Sequence, residues 1–138
     1  MIASGPAFRL LPRLDEENGF FWTGGADGLL RFQRCTACRR YVHPPGPVCP
    51  YCLDGDLVPE AVSGRGLVHS FTVNHQEWIP GSEPYAIGLV TIVEQDDVRL
   101  TTNLVGFEAG DLRIGAEVRV VFEHRDDVWL PLFERVPS

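Results

Sequence analysis

Cys35-Thr36-Ala37-Cys38 and Cys49-Pro50-Tyr51-Cys52 hold all four cysteines of the 138-residue chain within eighteen consecutive positions, with ten residues between the pairs. Each Cys-x-x-Cys pair lets two thiolates of one tight turn reach the same ion, and two such pairs at this separation match a closed tetrahedral zinc site. With four protein ligands no coordination position is left for water or substrate, so Cys35, Cys38, Cys49 and Cys52 are expected to hold a structural Zn2+. Such an ion can supply an apparent ~10–16 kcal/mol to a module too small to have its own core. Iron bound in rubredoxin style, which would make an electron carrier, and a pair of redox dithiols or disulfides are the alternatives for the same spacing.

Reading outward, the stretch before the first pair alternates from Leu30 through Phe32 and suggests a strand that delivers Cys35 to the site. Between the pairs, Tyr41-Val42-His43-Pro44-Pro45-Gly46-Pro47-Val48 has too many prolines for a helix and reads as a short β-finger with a returning loop. Upstream, Asp15-Glu16-Glu17 before Phe20-Phe21-Trp22 looks like a helix of about two turns, bounded by Asn18-Gly19 and Gly24-Gly25, with the acids favourable at its start. Three adjacent aromatics cannot share one helical stripe, which makes Phe20, Phe21 and Trp22 candidates for contact with a partner. Residues 1–13 read as an extended arm.

Downstream, five segments read as strands. They are 66–76, 85–94, 98–105, 117–124 and 128–135, with tight turns at Asp96-Asp97 and Asp126-Asp127. The third is the clearest, with Val98, Leu100, Thr102 and Leu104 on one face and Arg99, Thr101 and Asn103 on the other. The second is nearly continuously apolar and reads as buried on both faces. The expected fold is therefore mainly β: a short N-terminal helix and arm (1–27), a rubredoxin-like zinc ribbon (28–60) and a C-terminal five-stranded barrel of the OB-fold type (61–138). The interval 106–115 is too short for a long helix.

The chain has twelve arginines and no lysine. Residues 61–138 carry six Arg against twelve acidic groups, a formal −6 that argues against a nucleic-acid backbone as partner. Residues 28–53 hold Arg31, Arg34, Arg39 and Arg40 with no acid. These four compensate the charge of a zinc–thiolate centre, or serve as candidate contacts for ligand phosphates. No stretch approaches a membrane span, and the N-terminus lacks the pattern of a secretory signal, so a cytoplasmic location with reduced thiols is expected. There is no nucleophile elbow, Gly-rich phosphate loop or His-Glu-x-x-His motif. His69 and His75 read as strand histidines, His124 as a strand-end residue, and His43 as a bystander to a site already filled by cysteines.

Several separated motifs are shared with a known family: Trp22, Gly28-Leu29-Leu30-Arg31-Phe32-Gln33-Arg34-Cys35-Thr36-Ala37-Cys38, Pro44-Pro45, Cys49-Pro50-Tyr51-Cys52, the run from Gly66 to His75, Pro84–Val90, Asp111–Gly115 and Leu130–Phe133. Over about residues 15–135 the sequence resembles the acyl-CoA-associated zinc-ribbon and OB-fold proteins, domain-of-unknown-function family thirty-five. The resemblance implies a partner of thiolase-like enzymes and of lipid-transfer-protein-type aldolases of steroid side-chain breakdown. Some members are fused or bound to hydratase-like hot-dog subunits. It implies a non-catalytic subunit in a hetero-oligomer that stabilises its enzyme and helps hold the CoA thioester. The competing expectation is a single-stranded nucleic-acid binder, since ribbons and OB barrels both do that work and Phe32, Tyr41 and Tyr51 offer rings for stacking.

Overall fold

The computed structural model describes residues 2–3, 5–6 and 9–137; Met1, Ser4, Ala7 and Phe8 of the arm, and Ser138, lie outside it. Two β bodies follow one another along the chain. The first is a three-stranded antiparallel sheet of β1 (Arg31–Cys35), β2 (Tyr41–Val42) and β3 (Leu57–Ala61), ordered β2-β1-β3. The second is a closed barrel of β4 (Arg65–Asn74), β5 (Tyr85–Ile92), β6 (Arg99–Val105), β7 (Glu117–Arg125) and β8 (Val128–Arg135), ordered β4-β5-β6-β8-β7. All barrel pairs are antiparallel except β6 with β8.

The five expected barrel strands are present with ends shifted by up to two residues, and the predicted ribbon and OB-type barrel are the observed architecture. Between β6 and β7 the chain makes only a 3-10 turn at Ala109–Asp111. β5 departs from expectation. Its burial alternates, with Ala86, Gly88, Val90 and Ile92 inside and Ile87 still 38% exposed, so it is buried on one face only. Its other face belongs to the barrel exterior, which the N-terminal segment covers in part.

The helix is shorter than expected. α1 spans Gly19–Thr23 and runs into a 3-10 turn at Gly24–Ala26. The acids lie before it, because the Asp15 carboxylate accepts the backbone N–H of Glu17 and of Asn18, both at 2.8 Å, and so holds a turn instead of a first helical turn. The arm and α1 lie against the outside of the barrel. Leu11, Leu14 and Trp22 pack on Val128, Leu130 and Leu132 of β8. Arg9 donates to Asn103 Oδ1 at 2.7 Å and pairs with Glu123 at 2.9 Å, bridging β6 and β7 over β8.

The largest apolar cluster joins helix, ribbon and barrel. Phe21 of α1, and Leu30, Phe32 and Tyr41 of the ribbon, share it with barrel residues such as Val90, Leu104 and Phe133. Polar contacts hold the same junction: Gln95, in the β5–β6 turn, accepts the Tyr41 N–H at 2.8 Å and donates to the Tyr41 carbonyl at 3.0 Å. The backbone N–H of Val62 donates to the Leu30 carbonyl at 2.9 Å and carries the β1–β3 ladder one residue further toward the barrel. Among the described residues no helix is long and apolar enough to cross a membrane.

Candidate metal centre and the surface around it

β1 ends on Cys35, and the chain turns so that the N–H of Arg39 returns to the Cys35 carbonyl at 3.0 Å. The second pair repeats the turn, with the N–H of Leu53 on the Cys49 carbonyl at 3.0 Å. Arg39 and Leu53 each follow the second cysteine of their pair and each takes a left-handed backbone, with φ of 67° and 61°. These two equivalent knuckles bring the four Sγ atoms within 4.8 Å of one another. The Cys35–Cys52 and Cys38–Cys49 sulfurs are both 3.6 Å apart. A tetrahedron with Zn–S near 2.3 Å has edges of about 3.8 Å, so the four sulfurs are already close to the shell that zinc requires.

The electrostatics fit a cation as well. The Cys38 N–H, at 3.4 Å from its sulfur, is the main group that lowers the Cys35 thiol below its ordinary pKa, and the Cys52 N–H does the same for Cys49. At Cys38 the Arg40 N–H favours the thiolate, but desolvation and the three neighbouring sulfurs outweigh it and push that thiol up to about 11. Four sulfurs in one shell resist full ionisation unless a cation sits among them. Among the described residues the surrounding core is only Val42 and Leu57 beside the cysteines themselves. Gly55 closes over Cys35, and a Cβ there would overlap the sulfur.

The four arginines near this centre do not form the isolated positive island that the 28–53 window suggests, because acids outside the window fold back onto them. Arg31 holds Asp27 by two hydrogen bonds of 3.0 and 2.7 Å, which lower the Asp27 carboxyl below its usual range. Arg34 donates to Glu60 at 2.9 Å, donates to the Arg39 carbonyl at 2.7 Å, and lies over the Tyr41 ring. Arg39 stands 3.8 Å from Glu60 and is 57% exposed; Arg40 stands 3.5 Å from Asp97 with its guanidinium over Tyr51 and is 53% exposed. Arg31 and Arg34 are thus engaged internally, whereas Arg39 and Arg40 keep faces toward solvent.

The aromatic trio divides similarly. Phe21 is buried among Trp22, Phe32 and His43, so it has no surface to offer a partner, while Phe20 and Trp22 are half-buried. His43 lies outside the sulfur cluster, with its ring edge-on to Phe32 at 4.9 Å. Burial in this apolar setting lowers its pKa to about 4. The folded chain therefore binds His43's proton less readily than the unfolded chain does, and stability is complete above about pH 6.5 and falls as pH drops toward 4. Between pH 7 and pH 5 the loss from this residue is expected to be about 2 kcal/mol. Urea midpoints at the two pH values should show it, and His43→Gln should remove that part of the slope.

A cleft of about 470 Å³ lies where ribbon meets barrel, lined by Trp22, His43, Pro44, Pro45, Arg99 and Thr101 among others. Arg99 was not singled out from the sequence, where it is one outward residue of an alternating strand. Only the docking of the ribbon places it at this cleft. Of the rings offered for base stacking, Phe32 and Tyr41 are buried, and Tyr51 is exposed with one face under the Arg40 guanidinium. His69 lies in β4, whereas His75, expected on the same strand, falls just past its end; both are exposed and belong to no metal-holding group among the described residues, and His124 stacks on Trp129 at 4.1 Å.

Known proteins share this arrangement. Residues 22–58 match the family model described as the ChsH2 rubredoxin-like zinc ribbon domain, and residues 59–123 match the ChsH2 C-terminal OB-fold domain. The chain is 36% identical over 129 residues, 92% of its length, to a probable enoyl-CoA hydratase alpha subunit of Thermomonospora curvata. It is 32% identical over 118 residues, 85% of its length, to the 3-oxo-4,17-pregnadiene-20-carboxyl-CoA hydratase alpha subunit of Mycobacterium tuberculosis. It spans only 40% and 37% of those two relatives. Among solved structures, a chain of the Ltp2-ChsH2(DUF35) aldolase overlays with a TM-score of 0.80 at 35% identity, covering 91% of this chain and 98% of that one. By sequence, by fold and by its cysteine cluster, the chain belongs to the DUF35/ChsH2 family of zinc-ribbon and OB-fold proteins.

Proposed function

We propose that this chain is a non-catalytic accessory subunit that binds and stabilises a thiolase-fold enzyme, of the thiolase or steroid side-chain aldolase type, acting on acyl-CoA thioesters. The observation that carries the proposal is the near end-to-end overlay on a chain of the Ltp2-ChsH2(DUF35) aldolase, which leaves little of either chain unmatched. The chemistry of the site agrees. Four cysteines fill a tetrahedral shell, so zinc bound there serves to hold the ribbon's shape. The reading places the chain's contribution in its surfaces. Phe20 and Trp22 are the candidate docking side chains. Arg39 and Arg40 on the ribbon, and Arg99 at the cleft where ribbon meets barrel, are the cations available to the phosphates of a CoA thioester shared with the partner.

The test is co-expression with a candidate aldolase or thiolase partner, followed by purification on a tag carried by this chain. The pair should co-purify and turn over acyl-CoA, and the isolated chain should show no turnover. Arg39→Glu with Arg40→Glu should raise the partner's KM for the thioester about tenfold or more, with kcat and complex formation kept. Robust turnover by the isolated chain would overturn the accessory role, and an unchanged KM would remove the phosphate assignment alone.

A further inference from the structure

β4 is the longest strand of the molecule, and only part of it is enclosed. On one side it pairs with β5 along nearly its full length, from Gly66 to Asn74. On the other side it pairs with β7 only at Arg65, Gly66 and Leu67, and Val68 adds two backbone hydrogen bonds, with Ala116 and Gly115. Beyond the register shift between Val68 and Ser70, no backbone hydrogen bond is made on this side by Ser70–Asn74 among the described residues. That leaves an open strand edge about five residues long, whose outward N–H and C=O groups can be matched in direction and spacing only by another extended polypeptide.

Sheet edges are usually guarded by lysine, proline, an inward charge or a covering loop. Ser70-Phe71-Thr72-Val73-Asn74 carries no charge and no proline. Ser70, Phe71 and Thr72 are exposed, with Phe71 at 37%. The composition of the edge also identifies its match. In an antiparallel pairing of two copies about a two-fold axis, the register that uses all five residues is centred on Thr72. That register sets Phe71 opposite Val73 twice on one face, and Thr72 opposite Thr72 with Ser70 opposite Asn74 on the other. Aromatic with β-branched, and hydroxyl with hydroxyl, are among the cross-strand pairs that stabilise sheets, and no like charges oppose one another within the five.

We infer that the Ser70–Asn74 edge of β4 is a homodimerisation surface, on which a second copy of this chain pairs antiparallel about Thr72 to make a continuous sheet of β5-β4-β4-β5. A five-residue pairing contributes about four to six backbone hydrogen bonds. Its area lies at the small end of specific interfaces, so the association is reversible and concentration-dependent. The inference does not rest on the proposed function; it concerns a different part of the surface.

The test is sedimentation of the purified, zinc-loaded chain over a concentration series reaching millimolar. Monomer should give way to dimer, and Thr72→Lys, which opposes two cations across the axis at an exposed position, should weaken association at least tenfold with zinc content and circular dichroism unchanged. Cysteine crosslinking reads the register. Paired Cα atoms stand about 4.5–5.5 Å apart, within disulfide reach. Under mild oxidation Thr72→Cys should crosslink to itself, whereas Ser70→Cys alone should not, and the unsubstituted chain run in parallel should not. A monomer at every concentration, equal crosslinking by the two variants, or association indifferent to Thr72→Lys would each overturn the proposal. So would a monomeric chain whose binding to the enzyme partner is lost in Thr72→Lys, since the edge would then belong to that partner.

Discussion

Replacing Cys49 by Ser is expected to release the metal, unfold the ribbon and abolish partner binding in one step. Cys49 is buried, and it stands among the few residues that form the ribbon's own interior. A hydroxyl in its place leaves three thiolates around the ion and removes a ligand that zinc prefers. Because a structural ion supplies an apparent ~10–16 kcal/mol to modules of this kind, no amount of local packing here offsets its loss. The consequence extends to the barrel, since Phe32 and Tyr41 would leave the shared cluster as the ribbon opens. Metal content per chain should fall to near zero, the urea midpoint should drop, and pull-down of the enzyme partner should fail. A chain that lost its metal yet bound and supported its partner normally would break this coupling.

The second large effect belongs to Phe21. Its ring is 3% exposed and touches the helix, the ribbon and His43 at once, with Trp22 at 4.9 Å and His43 at 5.0 Å. Phe21→Ala is expected to cost about 3–5 kcal/mol, the range for removing a buried aromatic ring that its surroundings cannot fill. Equilibrium urea unfolding measures it directly. Phe20→Ala, at a half-buried neighbour, should cost clearly less stability while still weakening partner binding if that surface docks. Equal stability losses from the two would contradict the division between core and surface within this trio.

The features legible in the sequence were those set by local spacing. Two Cys-x-x-Cys turns specify a four-sulfur cluster without reference to the rest of the chain, and the alternation from Val98 to Leu104 specifies which side of β6 enters the barrel. What escaped depends on residues far apart in sequence. β3 was hidden by Pro59, which reads as a strand breaker; the structure tolerates it because β3 is the edge of its sheet, where a missing N–H has nothing to satisfy. The pairing of Arg34 with Glu60 spans 26 positions and exists only because β1 and β3 lie side by side, so a running window of charge counts the two separately. Asp15 illustrates the opposite case, a local signal misread. Its carboxylate was assigned to a helix start, but the same carboxylate closes a turn that delays the helix to Gly19.

The amide of Gln95 meets Tyr41 through both its backbone groups, as a neighbouring strand would. A side chain here performs the work of a missing strand, and with the apolar cluster shared by the two bodies it fixes the ribbon to the barrel. A polar clamp at Tyr41 and an apolar face carrying Leu30 and Phe32, packed into the barrel's own cluster, together hold the ribbon against swinging. The angle between the two bodies is therefore established before any encounter, and a partner that grips both does not have to spend association energy on freezing their relative orientation.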